Sequence, residues 1–180
     1  MLERRTRETD ISLSIQLDGD GIADIETEEF FLEHMLRTFA KYSGIDIHLN
    51  CDGDHPHHLI EDVAITLGRA VRAAIDSGPD IERIADRTVP MDDALVFAAV
   101  DLIDRPYFRG ELPMPMFGHF LRSFAHEGRF CLHVRVLDGH DEHHVTEAAF
   151  KAVGLAIKEA IRVRDAGILS TKDRIKVKTG

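Results

Sequence analysis

His57-His58-Leu59-Ile60-Glu61 returns 86 positions on as His143-His144-Val145-Thr146-Glu147. A second pair of runs keeps almost the same spacing: His34-Met35-Leu36-Arg37-Thr38-Phe39-Ala40 and, 85 positions on, His119-Phe120-Leu121-Arg122-Ser123-Phe124-Ala125. Each half of the chain therefore carries one histidine in an apolar run, followed by a His-His-x-x-Glu box. Self-similarity at a fixed period marks repeated supersecondary units, so one structural plan has to account for both halves.

The first box opens a stretch in which Ile60, Ala64, Leu67, Val71 and Ile75 recur at three- and four-residue intervals, which predicts a helix from His57 to Ile75. Glu28 to Tyr42 has the same period, with Phe31, Met35, Leu36 and Phe39 on one side, and Ile45 to Leu49 between the two helices reads as a strand. Ile11-Ser12-Leu13-Ser14-Ile15-Gln16-Leu17 alternates apolar and polar side chains, as a half-buried strand does. Asp18-Gly19-Asp20-Gly21 then turns the chain into a short second strand, and Asp76-Ser77-Gly78-Pro79-Asp80 ends the half. The second half repeats the order, with strands near 95–103 and 107–112, a helix near 117–126, a strand at 130–137 and a helix near 143–163.

This order predicts an α+β fold: a tandem repeat of two ββαβα halves, each a four-stranded sheet with two helices on one face. The halves span 1–78 and 79–172, pack their helices together about a pseudo-two-fold and form one compact unit, with 173–180 a basic C-terminal tail. Gly167 to Thr171 reads as an ordered loop and Phe30-Phe31 as core.

The 180 residues are 44% hydrophobic, enough for a sizeable core. Lys+Arg 22 against Asp+Glu 32 leaves a formal charge of −10, which argues against a nucleic-acid surface. No apolar run approaches the roughly 18 residues of a membrane span, and Met1-Leu2-Glu3-Arg4-Arg5 lacks the apolar stretch of a signal peptide. The expected location is cytoplasmic, with no membrane and no nucleic-acid partner. Cys51 and Cys131 occupy non-equivalent places in the repeat and read as two buried free thiols.

In a helix, positions four apart share a face, so His57 and Glu61 can hold one ion, as can His143 and Glu147. Adjacent residues diverge by about 100°, so His58 and His144 point elsewhere, each toward a different ion. With His34 and His119 the candidate ligands are six imidazoles and two carboxylates. Two metals with three histidines and one carboxylate apiece use them all and leave octahedral positions open, which ranks manganese or iron above zinc. A lone box also fits a capping-box glutamate; two boxes in register with a third histidine favour ligation. His48 and His133, though equivalent in the repeat, lie on strands and read as packed or surface residues, and His55, His126 and His140 have no repeat partner.

With these residues in place, the chain resembles the imidazoleglycerol-phosphate dehydratase family from Arg5 to about Lys172. The resemblance rests on Arg5-x-Thr-x-Glu8-Thr9, Phe31-Leu-Glu-His34-Met-Leu, Gly53-Asp54 ahead of His57-His58-x-x-Glu61-Asp62, and Leu67-Gly68. Pro90-Met91-Asp92-Asp93-Ala94-Leu95, Arg105-Pro106-Tyr107, Ser123-Phe124-Ala125-His126, the second box through Phe150-Lys151, and Ser170-Thr171-Lys172 continue it in order. The departures are His55-Pro56 in a shortened segment where the family has Asp-Asp, Thr38 in place of Gln, Tyr42 in place of His, and Asp173 in place of Gly.

The resemblance implies a cytoplasmic lyase of histidine biosynthesis that dehydrates D-erythro-imidazole glycerol phosphate to imidazole acetol phosphate. It implies two Mn²⁺ per active site, held by His34, His57, His58, Glu61, His119, His143, His144 and Glu147 and stabilising an imidazolate intermediate. It assigns the substrate phosphate to Arg83, Arg105, Lys151, Ser170 and Lys172, and an active-site acid, the candidate catalytic proton carrier, to Glu8. By the residues alone each phosphate candidate is a solvated surface group. The partners implied are a small-molecule phosphate substrate and further copies of the chain, a homo-oligomer of 24 subunits built from trimers. A dimetal phosphoester hydrolase and a protein whose metals only staple subunits are the alternatives, distinguished by phosphate release from generic esters and by absence of turnover.

Overall fold

The computed structural model describes residues 1–165, 167 and 169. Ser170, Lys172 and the 173–180 tail lie outside the described residues, as does most of the predicted loop 167–171. The first half is β1 (Leu2–Arg5), β2 (Thr9–Gln16), β3 (Ala23–Glu26), α1 (Phe30–Ser43), β4 (Asp46–Gly53) and α2 (Pro56–Ser77). The second half matches it: β5 (Ile84–Met91), β6 (Ala94–Asp101), β7 (Tyr107–Arg109), α3 (Pro115–Glu127), β8 (Cys131–Asp138) and α4 (Glu142–Ala160).

Each half forms a four-stranded sheet, in the orders β1-β2-β4-β3 and β5-β6-β8-β7. In both, the last-named pair is parallel and the other pairings are antiparallel. The element order ββαβα names three strands, and the fourth strand of each sheet comes from β1 and β5, which alternation did not reveal. Both lie at sheet edges, and their exposed faces carry Glu3, Arg5, Asp86 and Pro90. Edge strands are where charged residues and proline are tolerated, so the hydrophobic signal there is weak. Other ends shift: β4 runs on to Gly53, β7 stops at Arg109 rather than 112, and α4 stops at Ala160 rather than 163.

The helices of one half pack on those of the other, α1 against α4 and α2 against α3, with the sheets outside. Two glycines permit this close approach. A Cβ on Gly68 of α2 would stand 2.6 Å from the Phe124 carbonyl oxygen of α3, and one on Gly154 of α4 would stand 3.1 Å from the Ser43 amide nitrogen of α1. Gly68 and Gly154 are 86 positions apart, the spacing of the boxes, so the pseudo-two-fold relates the crossings. Leu32, Met35, Leu36, Leu67, Phe120, Phe124, Phe130 and Phe150 fill the core, where each buried side chain of this size contributes about 1.5–3 kcal/mol.

The helix starts bear directly on the boxes. Pro56 opens α2 at a position whose N–H has no intrahelical partner, and the His55 imidazole accepts from the His57 N–H at 3.1 Å. Asp141 caps α4 by accepting from the N–H groups of His143 and His144 at 2.9 and 3.0 Å. Cys51 is buried as expected, but Cys131 is only half-buried because it opens β8 at the sheet's rim; both are free thiols.

Candidate metal centre

The helix crossings bring the predicted ligands together across the halves. His34 of α1 meets His143 and Glu147 of α4; His119 of α3 meets His57 and Glu61 of α2. Within each trio the ligand atoms all lie within 4.8 Å of one another. Glu147 Oε2 is 2.9 Å from His34 Nε2 and 3.0 Å from His143 Nε2. Glu61 lies 3.6 Å from His57 Nε2 and 3.1 Å from His119 Nε2.

Both trios fit a first-row divalent cation. Each offers two imidazole nitrogens and a carboxylate, the donor set of zinc, iron or manganese sites. His119 Nε2 is buried and, though 3.1 Å from the Glu61 carboxylate, makes no well-directed hydrogen bond among the described residues, and a cation bound between the two groups would satisfy it. The His34, His57 and His143 side chains remain about half exposed, so further ligands can reach them.

Glu147 has a second cation beside it. Lys151 Nζ sits 2.9 Å from Glu147 Oε1, 3.3 Å from Met91 Sδ and 5.5 Å from the centre of the Tyr42 ring. Burial pushes the Glu147 pKa up, but Lys151, His34 and His143 outweigh it and bring it down to about 2.

His58 and His144 turn away from their own trios, as the 100° divergence requires. Their rings stand 6.1 Å and 6.2 Å from those of His57 and His143. His58 Nδ1 is 2.8 Å from Asp54 and 3.8 Å from Glu8; His144 Nδ1 is 2.7 Å from Asp93, with Asp92 at 3.5 Å from its Nε2. The Asp93 pKa is held far below the usual carboxylate range, first by the His140 N–H, then by the His144 ring and the Asp141 N–H.

Glu8 is therefore beside one box and Lys151 beside the other, whereas Arg83 and Arg105 are at the opposite end of the molecule. Arg83, at φ 70°, donates its backbone N–H to Ala160 at the end of α4 and pairs through its side chain with Asp101 at 2.8 Å. Arg105 is exposed in the segment between β6 and β7.

Phe30-Phe31 departs from the core reading. Phe30 is 82% exposed, and Phe31 is half-buried with its ring 6.2 Å from that of His34 and 5.2 Å from that of His143. The inward stripe of α1 is Leu32, Met35, Leu36 and Phe39, which leaves Phe30 at the helix start facing out and Phe31 as a wall of the centre. Sequence reasoning also passed over Asp54, Asp93 and Asp141 as the carboxylates beside the boxes; for Asp54 and Asp141 the available signal was an acidic residue shortly before each His-His pair, whereas Asp93 arrives from the turn between β5 and β6. His48 is exposed on β4, and His133 stacks near Tyr107 at 5.3 Å, both outside the trios.

Comparison with known proteins agrees with this geometry. The imidazoleglycerol-phosphate dehydratase family model matches residues 27–157. The enzyme of that name from Chlorobium luteolum is 43% identical over 183 residues, covering 94% of this chain and 91% of the relative. That of Desulforudis audaxviator is 43% identical over 185 residues, covering 95% and 94%. Among solved structures, IGPD from Pyrococcus furiosus superposes with a TM-score of 0.85 at 33% identity, covering 97% of this chain and all of that one. Imidazoleglycerol-phosphate dehydratase from Staphylococcus aureus gives 0.80 at 28% identity, covering 91% and 98%. The chain belongs to the imidazoleglycerol-phosphate dehydratase family and is a hydro-lyase.

Proposed function

We propose that this protein dehydrates D-erythro-imidazole glycerol phosphate to imidazole acetol phosphate in histidine biosynthesis, with two Mn²⁺ per active site. The observation that carries this reading is the pair of His-His-Glu trios related by the repeat, each assembled across a helix crossing and open to solvent. When bound, the metals supply Lewis-acid stabilisation of the substrate ring as an imidazolate, the electron sink that a carbon acid with no adjacent carbonyl needs.

The residues divide the remaining work. The ring-bearing carbon loses its hydroxyl, and the next carbon loses a proton to give the enol, which tautomerises to the ketone; one water leaves and no redox change occurs. Glu8, exposed on the turn before β2 and 3.8 Å from His58, carries the proton on its carboxylate. Arg83, Arg105, Lys151, Ser170 and Lys172 clamp the phosphate, with the arginines supplying planar forks.

Those roles require more than one copy of the chain. His143 lies 17 positions along α4 from Ala160, whose carbonyl holds Arg83, or about 26 Å at 1.5 Å per residue. A triose-sized substrate cannot span that distance, so the clamp arginine of one copy serves the metals of another. His58 and His144, directed away from their own trios, are the ligands that join copies. A homo-oligomer follows, with trimers joined by metal into a 24-subunit assembly as the specific expectation. Light scattering during chelation and Mn²⁺ add-back tests it: a large particle should fall to a smaller one and reassemble with recovery of dehydratase activity. An active monomer, or phosphate release in place of dehydration, rejects the proposal.

A further inference from the structure

The repeat places Glu8 and Asp93 in equivalent positions, 85 apart, each immediately before its half's long antiparallel strand pair. Their surroundings differ because their hairpin turns differ. In the second half Met91 pairs with Ala94, so the turn is only Asp92-Asp93, with Asp92 at φ 48°. In the first half Arg5 pairs with Asp10, which leaves Thr6 to Thr9 as a longer connection. The Thr6 hydroxyl accepts from the N–H groups of Glu8 and Thr9, and Thr9 donates to buried Asp62 at 2.6 Å, fixing that wider loop.

The consequence is a change of duty. The short turn drives Asp93 onto the second box, where one oxygen meets His144 Nδ1 at 2.7 Å and the other accepts from the His140 and Asp141 N–H groups at 2.7 and 3.1 Å. The wider loop leaves Glu8 3.8 Å from His58 and about half exposed, while Asp54 meets His58 Nδ1 at 2.8 Å. Asp54 immediately precedes the shortened His55-Pro56 segment before the first box, and its own N–H donates to the Glu8 carbonyl at 2.9 Å, which ties the two backbones together.

We propose that Asp54 and Asp93 are positioning residues. Each accepts the Nδ1 proton of the outward histidine in its box, which fixes the tautomer and presents Nε2 of His58 or His144, outward, to a metal shared with another copy. In the first half Asp54 has taken over this duty, leaving the strand-start carboxylate, Glu8, to move protons. The two halves are thus a matched pair in which one carboxylate position was retained for orientation and its twin released for chemistry. Outer carboxylates on a ligating histidine hold the ring and raise its basicity, and their loss typically weakens metal binding by about 10- to 100-fold.

This inference rests on the outward histidines being metal ligands, so the experiment separates the two ideas. Mn²⁺ binding to the metal-stripped full-length protein is followed by the EPR signal of free Mn²⁺, for wild type and for Asp54→Ala, Asp54→Glu, Asp93→Asn, Glu8→Gln and His58→Ala. Asp54→Ala and Asp93→Asn should weaken Mn²⁺ binding by about 10- to 100-fold without altering the melting of the metal-free protein. Asp54→Glu should recover part of that loss, and Glu8→Gln should bind Mn²⁺ as wild type does. If His58→Ala loses Mn²⁺ while Asp54→Ala and Asp93→Asn keep it, the positioning role is overturned and the ligand assignment stands. If His58→Ala also binds as wild type, the ligand assignment fails with it. Asp93→Asn keeps an acceptor for the backbone N–H groups, so a fall in its metal-free melting temperature as large as that of Asp93→Ala would show a structural role and overturn the proposal for that residue.

Discussion

The two trios share one geometry and differ in their surroundings. The Glu147 side chain is 11% exposed and contacts two imidazoles and Lys151. The Glu61 side chain is 35% exposed and, among the described residues, pairs with two imidazoles and no lysine, because the residue equivalent to Lys151, 86 positions earlier, is Ile65. Duplication supplied two matching ligand sets, and substitutions around them then left one with a buried, lysine-paired carboxylate and the other with a more exposed one without that lysine. The difference teaches that matching ligands need not have matching neighbours: the second box has Lys151 paired with its carboxylate, and the first has Glu8 beside its outward histidine.

The largest test is metal removal. If the trios are the chemical centre, exhaustive chelation should abolish dehydration and Mn²⁺ should restore it best. Turnover in protein shown by metal analysis to be empty would make the comparison between centres irrelevant to catalysis. Next in size, Glu8→Gln should lower kcat by about 10²- to 10⁴-fold, the range of a lost general acid or base, with little change in KM. Arg105→Ala should chiefly raise KM. Steady-state kinetics with those patterns exchanged would mean that the carboxylate beside the first box is not the proton carrier.

A smaller effect sharpens the comparison at the crossings. Gly68→Ala pushes a methyl group against a backbone carbonyl and should cost about 1–3 kcal/mol of stability as overpacking. Gly154→Ala meets looser surroundings, and a helix-propensity gain of about 0.5–1 kcal/mol should leave it near wild type. Thermal melts of both metal-free variants decide this, and equal losses would show that the crossings are equally tight. The smallest effect concerns acid. Because the folded Glu147 pKa is lowered to about 2 from 4.5, its contribution to stability is fully present above the unfolded value and is lost as pH falls through the folded one. Lys151→Ile, which gives the second centre the first centre's residue, should raise that pKa and flatten the loss of stability between about pH 4.5 and 2. An unchanged acid denaturation curve of the metal-free variant would mean that the two imidazoles alone hold the Glu147 carboxylate.

The sequence by itself determined the repeat, the four helices and, through the 100° step of a helix, the divergence of His57 from His58 and of His143 from His144. It also held the His-Glu pair of each trio, since a histidine and glutamate four apart on a helix must share a face. Strands buried on one face, such as Ile11 to Ile15, announced themselves by alternation. Edge strands β1 and β5 did not, because half of their surface faces solvent and their stability comes from hydrogen bonds to a neighbour rather than from buried side chains. Only the tertiary structure decided which lone histidine joins which box. His34 could have met the box of its own half; it meets that of the other, because α1 packs on α4 and α2 on α3 where Gly154 and Gly68 let the backbones close. Such pairings are contacts between residues far apart in the chain, and no local period encodes them. The same holds for Asp93 and Glu8: their equivalence is written in the repeat, but the hairpin turn that brings one onto its histidine and leaves the other short is fixed by strand register.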